Sequence, residues 1–451
     1  MKRIHYVTVL LVTLALTVNG LALAAEYVIE GKPFDFGQEF DFGGATVTFI
    51  GHYDKLAYDE AASLADKMGG VPPERIKEAE EKFNCKIQSI VVPANEAQQV
   101  RLARLLSGES AWDVWVGVST PAFEELAGQQ VFFPISDIVP QEYWDSMPAP
   151  HRAICKTLDY KGKIYGFGTA SAALINTSLI SYNKTMFERE GLPDPYELYK
   201  NGEWTWEAFR DIAVQATRDL DGDGTIDVYG IAAIAGHDGL GRLAYSNNAC
   251  FADFDEEGRL VFMLDSPEGL EAFRFWKELV DLKVIAFGGE NLTQFINGQA
   301  AMDLGFMLWH LLYPYQDMQD EIGLVPVPMG PSADDYVFAP RDGEGFVLPA
   351  NSENPLGLIA LVNFMWPPER FNDLYFDTVF MDMSPSREVY EVLKRSHAEW
   401  DGTHYRVWVH VARNGLWDAM GKVEHEGMAP AAALEEVKPR IQAAIDELYR
   451  Q

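Results

Sequence analysis

Along the first 130 residues, short β-branched runs alternate with segments whose apolar positions recur at helical spacing. Residues 45–51 (ATVTFIG) and 86–92 read as strands, and residues 112–118 (WDVWVGV) as a third. Between them, Pro72 and Pro73 open a helix in which Ile76, Ala79 and Phe83 share one face. Residues 96–106, with Val100, Ala103, Leu105 and Leu106 apolar, form another helix that Gly108 stops. Residues 121–127 begin a further one. Strand–helix alternation at this spacing predicts a parallel, doubly wound sheet.

The same alternation resumes after residue 183. Residues 184–190 predict a helix ended by Gly191, and Thr205 caps a helix over 206–217 with Glu207 in its first turn. Residues 229–233 read as a strand. Ser266-Pro267-Glu268 starts a helix whose Leu270, Phe273, Trp276, Leu279 and Val280 make a core stripe. A short helix over 292–296 and a strand over 300–305 follow. Trp206 and Trp276 lie on helical stripes and read as core. Trp112 and Trp115 alternate on one strand, so at most one reaches a cleft. Between the two halves lies the stretch 160–187. A turn at Lys161-Gly162-Lys163 leads into Tyr165-Gly166-Phe167-Gly168 and then small apolar residues over 170–174. Glycines at that spacing permit close backbone approach and absorb changes in φ and ψ.

At 451 residues, 48% of them hydrophobic, the chain is too long for one core and suits two domains. Lys2 and Arg3, an apolar run over 6–16 and Ala22-Leu23-Ala24 have the form of a secretory signal cleaved after Ala24. The expectation is a periplasmic protein. With no cysteine in the first 84 residues, no acceptor for a lipid anchor is expected. Residues 25–42, acidic and aromatic, read as an N-terminal extension on the surface. A formal charge of −32 argues against nucleic acid or an anionic membrane as partner. Cys85, Cys155 and Cys250 lack metal-like spacing and read as small buried hydrophobes, with one bridge allowed.

Asp219-Leu220-Asp221-Gly222-Asp223-Gly224-Thr225-Ile226-Asp227 places carboxylates at positions 1, 3, 5 and 9 and glycine at 6 of an EF-hand-like loop. Asp219, Asp221, Asp223, Asp227 and the Thr225 carbonyl would hold a structural Ca²⁺. The loop departs from the pattern at position 12, where Gly230 stands in place of glutamate. The alternative is an acidic turn of the ordinary kind.

Several segments, in order from about residue 45, resemble one family. These are YGFGTASAALI with YNKTMFEREGLPDP; FINGQAAMDLGFMLW, with Phe295, Gly298, Ala300, Ala301, Met302, Gly305 and Trp309; IGLVPVPMGP; GEGFVLPANSENPLGLIALVNFM; and MDMSPSREVYEVL, with Pro385 and Arg387. Together they resemble the family 1 extracellular solute-binding proteins, the sugar-binding components of ABC importers. The resemblance implies an α/β fold of the type II periplasmic-binding-protein kind, two doubly wound lobes joined by a multi-strand hinge. Residues 43–167 with 332–383 would form the first lobe and 168–331 with 384–451 the second. It further implies a monomer without catalytic residues that captures a carbohydrate and hands it to a membrane permease. Residues 400–417 are the least family-like.

Open α/β sheets bind ligands beyond the carboxyl ends of their strands. That rule selects His52, Tyr53 and Asp54 after the first strand, Ser119 and Thr120 after the third, and His237 and Asp238 after residue 233. A sugar asks for an aromatic ring against its apolar face and polar groups at its hydroxyls. The resemblance adds Trp309, Glu344 within the 341–345 turn, and Arg387. The competing class is a secreted hydrolase using paired carboxylates such as Asp59 and Glu60. No HExxH, GxSxG or SxxK arrangement stands in its required context.

Overall fold

The computed structural model describes residues 33–57, 70–147, 152, 155–168, 178–233, 236–287, 291–306, 308–311, 314–338, 344–367, 377, 380–381, 383–398 and 407–449. The signal-like segment and its cleavage site lie outside these. In chain order the strands are β1 (Thr46–Gly51), β2 (Lys86–Val91), β3 (Asp113–Ser119), β4 (Asp159–Tyr160), β5 (Lys163–Ile164), β6 (Leu179–Asn183), β7 (Tyr229–Ala233), β8 (Ala252–Phe254), β9 (Leu260–Phe262), β10 (Ile285–Phe287), β11 (Ala300–Asp303), β12 (Ile322–Pro326) and β13 (Glu344–Val347).

They form two main sheets. The first has the order β13-β3-β1-β2, with β1 parallel to both neighbours and β13 antiparallel on the outer edge of β3. The second has the order β10-β7-β11-β6-β12, in which β10, β7 and β11 run parallel and β6 runs against β11 and β12. Strands β1 and β3 are buried on both faces, as a sheet covered by helices on each side requires. Helices Pro73–Phe83 and Ala97–Ser107 connect β1 to β2 and β2 to β3. In the second sheet, Asn183, Thr205 and Ser266 cap the helices that follow them, accepting from the amides of Met186, Ala208 and Gly269.

Strand direction fixes where the chain passes between the sheets. Glu344 pairs with Ser119, so β13 begins at the carboxyl end of β3. Ser181 pairs with Asp303 and Leu179 with Pro326, so β6 begins, and β12 ends, at the carboxyl end of β11. Phe167 bridges to Phe346 in antiparallel fashion and so heads toward that same end of the first sheet. The chain therefore crosses from 168 to 179, and returns from 326 to 344, between the carboxyl ends of the two sets of parallel strands. A third crossing leaves the helix Pro355–Met365 and arrives at the helix Arg387–Ala398, which packs on β12. Close approach at the first crossing depends on glycine. A Cβ on Gly166 would lie 2.5 Å from Leu158 Cδ1, and one on Gly345 would lie 2.7 Å from the same atom. The small apolar residues 170–174 lie outside the described residues.

Three expectations change. Residues 332–338, assigned from the resemblance to the first lobe, stay with the second: Ser332 N donates to Asn247 Oδ1 (2.8 Å), Trp204 N donates to the Tyr336 hydroxyl (3.2 Å), and the Arg395 guanidinium lies 5.4 Å from the Phe338 ring centre. Burial of Tyr336 and Phe338 there outweighs an earlier return. The described part of the aromatic lead-in, residues 33–42, is not a surface extension. Phe42 is buried 5.0 Å from Trp112 and 5.6 Å from Phe83, and Phe34 and Phe36 close on Tyr143. Four phenylalanines in nine residues need an apolar partner, and the first lobe supplies it. The helix Ala97–Ser107 buries Ala97 and Arg101 and packs Leu102 and Leu105 on the core while Leu106 stands 87% exposed, so only some of its apolar residues mark its inner face.

The C-terminal helices touch both lobes. Helix Pro430–Leu448 packs on β9, where Gln442 accepts from Phe262 N (2.9 Å) and donates to Leu260 O (3.0 Å). Its last turn meets the first lobe, where the Tyr160 hydroxyl donates to Leu448 O (2.9 Å). Upstream, Val407 N donates to Glu124 Oε1 (3.0 Å), Arg413 pairs with Glu125 (2.6 Å), and Trp276 Nε1 donates to Glu424 (2.7 Å). Cys85 and Cys155 are buried free thiols; burial pushes Cys85 up to about 11 and Cys155 up to about 12. Among the described residues no helix is long and apolar enough to cross a membrane.

Candidate functional site

The first-lobe wall is assembled where β1 and β3 end. His52 and Tyr53 leave β1 with their rings edge to face, centroids 4.7 Å apart. Gly117 makes room for them: it has φ +63°, and a Cβ there would lie 2.9 Å from Tyr53 Cε1 and 3.0 Å from His52 Cε1. Glu344 enters opposite Ser119, hydrogen-bonded by the Tyr53 side chain. Burial pushes its carboxyl up, while Lys55, Arg101 and the Tyr53 hydrogen bond pull the other way. Burial, and then the Arg101 charge, push His52 down.

Two residues of this wall were not singled out by the sequence. Lys55 is 4% exposed, its ammonium 5.8 Å from the Trp366 ring centre. Arg101 is buried on the helix Ala97–Ser107 and donates to the carbonyls of Ile50 (3.3 Å) and Val116, near the ends of β1 and β3. Burial lowers Arg101 to about 10, with Glu344 and Tyr53 opposing that shift. A charged residue i+4 from the buried Ala97, on the face turned inward, was the available signal.

Of the sequence candidates on this wall, His52, Tyr53, Ser119 and Glu344 come together. Asp54 is exposed and accepts from the Leu56 amide (3.1 Å), an Asx turn that holds the loop. Thr120 is buried, its hydroxyl 3.3 Å from that of Thr157. Trp115 is core and Trp112 packs on Phe42, so neither faces the crevice.

On the second wall, β7 feeds the helix Gly236–Tyr245, and β11 feeds a 3-10 turn, Leu308–Leu311, that carries Trp309. The side chains of His237 and Trp309 lie outside the described residues. Asp238 is a correction. It is 2% exposed and pairs with Arg242 at 3.2 Å, so its carboxylate serves the interior. Phe287, unmarked in the sequence reading, ends β10 at the same level as Ala233 and is exposed, which places an aromatic ring at the carboxyl end of the second sheet.

Arg387 is a second correction. It begins the helix Arg387–Ala398 beside Glu388, which pairs with Lys184 at 2.5 Å. Lys184 follows the last residue of β6, at the end of the sheet away from Asp303 and Leu179. Arg387 is exposed there, paired with Glu391 and 4.8 Å from the Tyr390 ring centre. It stands at the wrong end of the sheet for the crevice.

The aspartate loop is compact. Asp219 accepts from Gly222 N (2.7 Å) and Gly224 N (2.8 Å), Asp223 from Thr225 N (2.7 Å), and Asp227 from Leu220 N (2.7 Å). The two backbone hydrogen bonds hold the Asp219 carboxyl below its ordinary range. Asp219, Asp221 and Asp227 each bring a carboxylate oxygen within 4.8 Å of the others. The missing glutamate has a steric cause. Gly230 already belongs to β7, and a Cβ there would fall 2.3 Å from Ala213 O.

The family pattern described as bacterial extracellular solute-binding protein matches residues 61–367, more than half of the chain. No curated protein matches in sequence. Solved structures share the fold. An ABC substrate-binding protein from Listeria monocytogenes in complex with cycloalternan has 17% identity and a TM-score of 0.59, covering 90% of this chain and 98% of its own. The Thermus thermophilus maltotriose-binding protein, bound with maltotriose, has 18% identity and 0.58, covering 88% and 100%. UgpB from Mycobacterium tuberculosis, in complex with glycerophosphocholine, has 16% identity and 0.64, covering 90% and 100%. Those folds are of the type II periplasmic-binding-protein class, and so is the two-sheet architecture here. By the extent of the family match and the ordered crossings between its sheets, the chain belongs to the bacterial extracellular solute-binding proteins, a family of binding proteins.

Proposed function

We propose that the chain is the substrate-binding component of an ABC importer and captures a carbohydrate, an oligosaccharide or a sugar derivative, between two closing lobes. The observation that carries this is where the chain crosses: the first two crossings join the carboxyl ends of parallel strands, and those ends bear His52, Tyr53, Glu344, Phe287 and the Trp309 turn. Aromatic rings beside hydrogen-bonding groups suit the flat faces and hydroxyls of a sugar. Contacts made with both lobes favour the closed form, which a membrane permease reads. Two of the neighbours above hold carbohydrates and the third a glycerophosphodiester, which supports a hydroxyl-bearing ligand.

The test is intrinsic tryptophan fluorescence against maltotriose, cycloalternan, ribitol and glycerophosphocholine. A saturable change with the sugar recovered intact supports capture. A product on chromatography points to the hydrolase instead, and a response confined to peptides or metal ions refutes the carbohydrate reading.

Domain bounds adjusted for residues 332–338, a signal removed after Ala24, periplasmic residence without a lipid anchor, and a monomeric state complete the reading. We also propose a structural Ca²⁺ in the aspartate loop. Asp219, Asp221 and Asp227 would supply carboxylate oxygens, with Asp223 and the Thr225 carbonyl completing a set of hard oxygen donors. With Gly230 excluded as a ligand, binding would be weaker than in a loop closed by a bidentate glutamate.

A further inference from the structure

The second lobe contains a buried polar network that ties two distant segments together. Arg242, 1% exposed, uses all three of its nitrogens: Nε donates to Asp238 Oδ2 (3.2 Å), Nη1 to Leu179 O (3.2 Å) and Nη2 to Phe306 O (3.1 Å). Leu179 is where the first crossing lands on β6. Phe306 lies between β11 and the 3-10 turn that carries Trp309.

A second bridge joins the same two segments. Ser181 Oγ, on β6, lies 2.6 Å from the Tyr315 hydroxyl; that hydroxyl donates to Asp303 Oδ2 (2.8 Å), and Asp303 Oδ1 accepts from Gly305 N (2.7 Å). His310, next to Trp309, brings Nδ1 to 3.7 Å from Asp303 Oδ2 and stacks edge-on to Tyr315 at 5.4 Å. Burial and the neighbouring Asp303 push the Tyr315 hydroxyl well up, so it stays a donor. Packing alone does not explain the arrangement, because well-packed apolar residues commonly replace a buried ion pair without loss. What the guanidinium adds is direction: a planar fork grips two carbonyls and a carboxylate at fixed angles, which an ammonium does not do.

We propose that Arg242 and Tyr315 are positioning residues that couple the landing of the first crossing to the turn bearing Trp309. Ligand contact at that turn and movement at the crossing are then one event. The affinity part of this rests on the carbohydrate reading above; the mechanical part does not.

The experiment uses Arg242→Lys and Tyr315→Phe in the full chain. Hydrogen exchange of the unliganded protein is followed over residues 179–183 and 304–311. In each variant, exchange is expected to rise in both segments together. A rise in one segment alone, or in neither, overturns the coupling. If Arg242→Lys does not fold, Tyr315→Phe, which removes one oxygen and keeps the ring, decides the matter. In the second arm, the panel compound that saturates the native protein is titrated. Each variant is expected to lose roughly tenfold in affinity, but less than about twofold once Trp309→Ala is already present, as for residues acting through one contact. Losses that multiply in full overturn the coupling and leave the carbohydrate reading standing. If the native protein binds no panel compound, the carbohydrate reading fails and hydrogen exchange alone decides.

Discussion

Replacing Gly117 by alanine separates a ligand-contact role for His52 and Tyr53 from a merely structural one. At φ +63° an L-residue pays about 1–2 kcal/mol for the left-handed backbone. The new methyl would also sit 2.9 Å from Tyr53 Cε1 and 3.0 Å from His52 Cε1, nearer than carbon atoms tolerate. Both atoms are far ends of side chains, so the rings shift and the strands stay. Stability should fall by about 2 kcal/mol, a drop of about 4–8 °C in Tm for a lobe of 150–250 residues. Ligand affinity should fall roughly tenfold or more, the loss typical of displaced aromatic anchors. Gly108→Ala is the control: φ is +80° and no atom lies within 4 Å of its Cβ position, so it carries the backbone cost alone. Calorimetry and fluorescence titration of the two variants provide the comparison. Equal affinity in both, at matched loss of Tm, would refute the placement of the two rings at the ligand.

Chelation should lower the Tm of the native protein, and calcium at about a hundred times its Kd should restore about 2.7 kcal/mol; Asp219→Asn should abolish that response, and a Tm indifferent to calcium in both proteins sinks the metal proposal. Phe42→Ala, which empties a buried site between Trp112 and Phe83, should cost about 3–5 kcal/mol by urea unfolding; a cost under 1 kcal/mol would return the lead-in to the surface. His52 is held below its ordinary value, so the neutral ring favours the fold above pH 6.5 and that contribution is lost as pH falls through its lowered folded value. The Tm of His52→Gln should therefore fall less than that of the native protein between pH 7.5 and 5, and parallel curves would contradict this.

The fold was legible because its helices carry their own punctuation. Thr205, Ser266-Pro267, Gly108 and Gly191 mark ends that backbone chemistry demands, and the strands between them are short and β-branched. The site was legible only where topology dictates it. The rule that ligands gather at carboxyl ends pointed to His52, Tyr53 and Ser119, and the resemblance added Glu344, but that rule cannot distinguish Asp238 facing a ligand from Asp238 facing Arg242, four residues on along its own helix. Arg387 misled because a motif's neighbourhood in sequence says nothing about which end of a sheet its helix starts from. Lys55 and Arg101 escaped notice because cations are rarely buried, so even the spacing of Arg101 four residues from Ala97 reads as an exposed face. Phe287 escaped because one exposed ring at the end of a three-residue strand looks like any surface aromatic.

The C-terminal tail has a practical consequence. Leu448 is held by Tyr160 of the first lobe while Gln442, two turns earlier, is held by β9 of the second. The two lobes are thus not portable modules. A chimera exchanging one of them with a relative must carry residues 407–449 and redesign one of their seams. A fluorophore attached near Leu448 would lie beside Tyr160 of the first lobe on a helix anchored to the second, and would sense the relative motion of both halves.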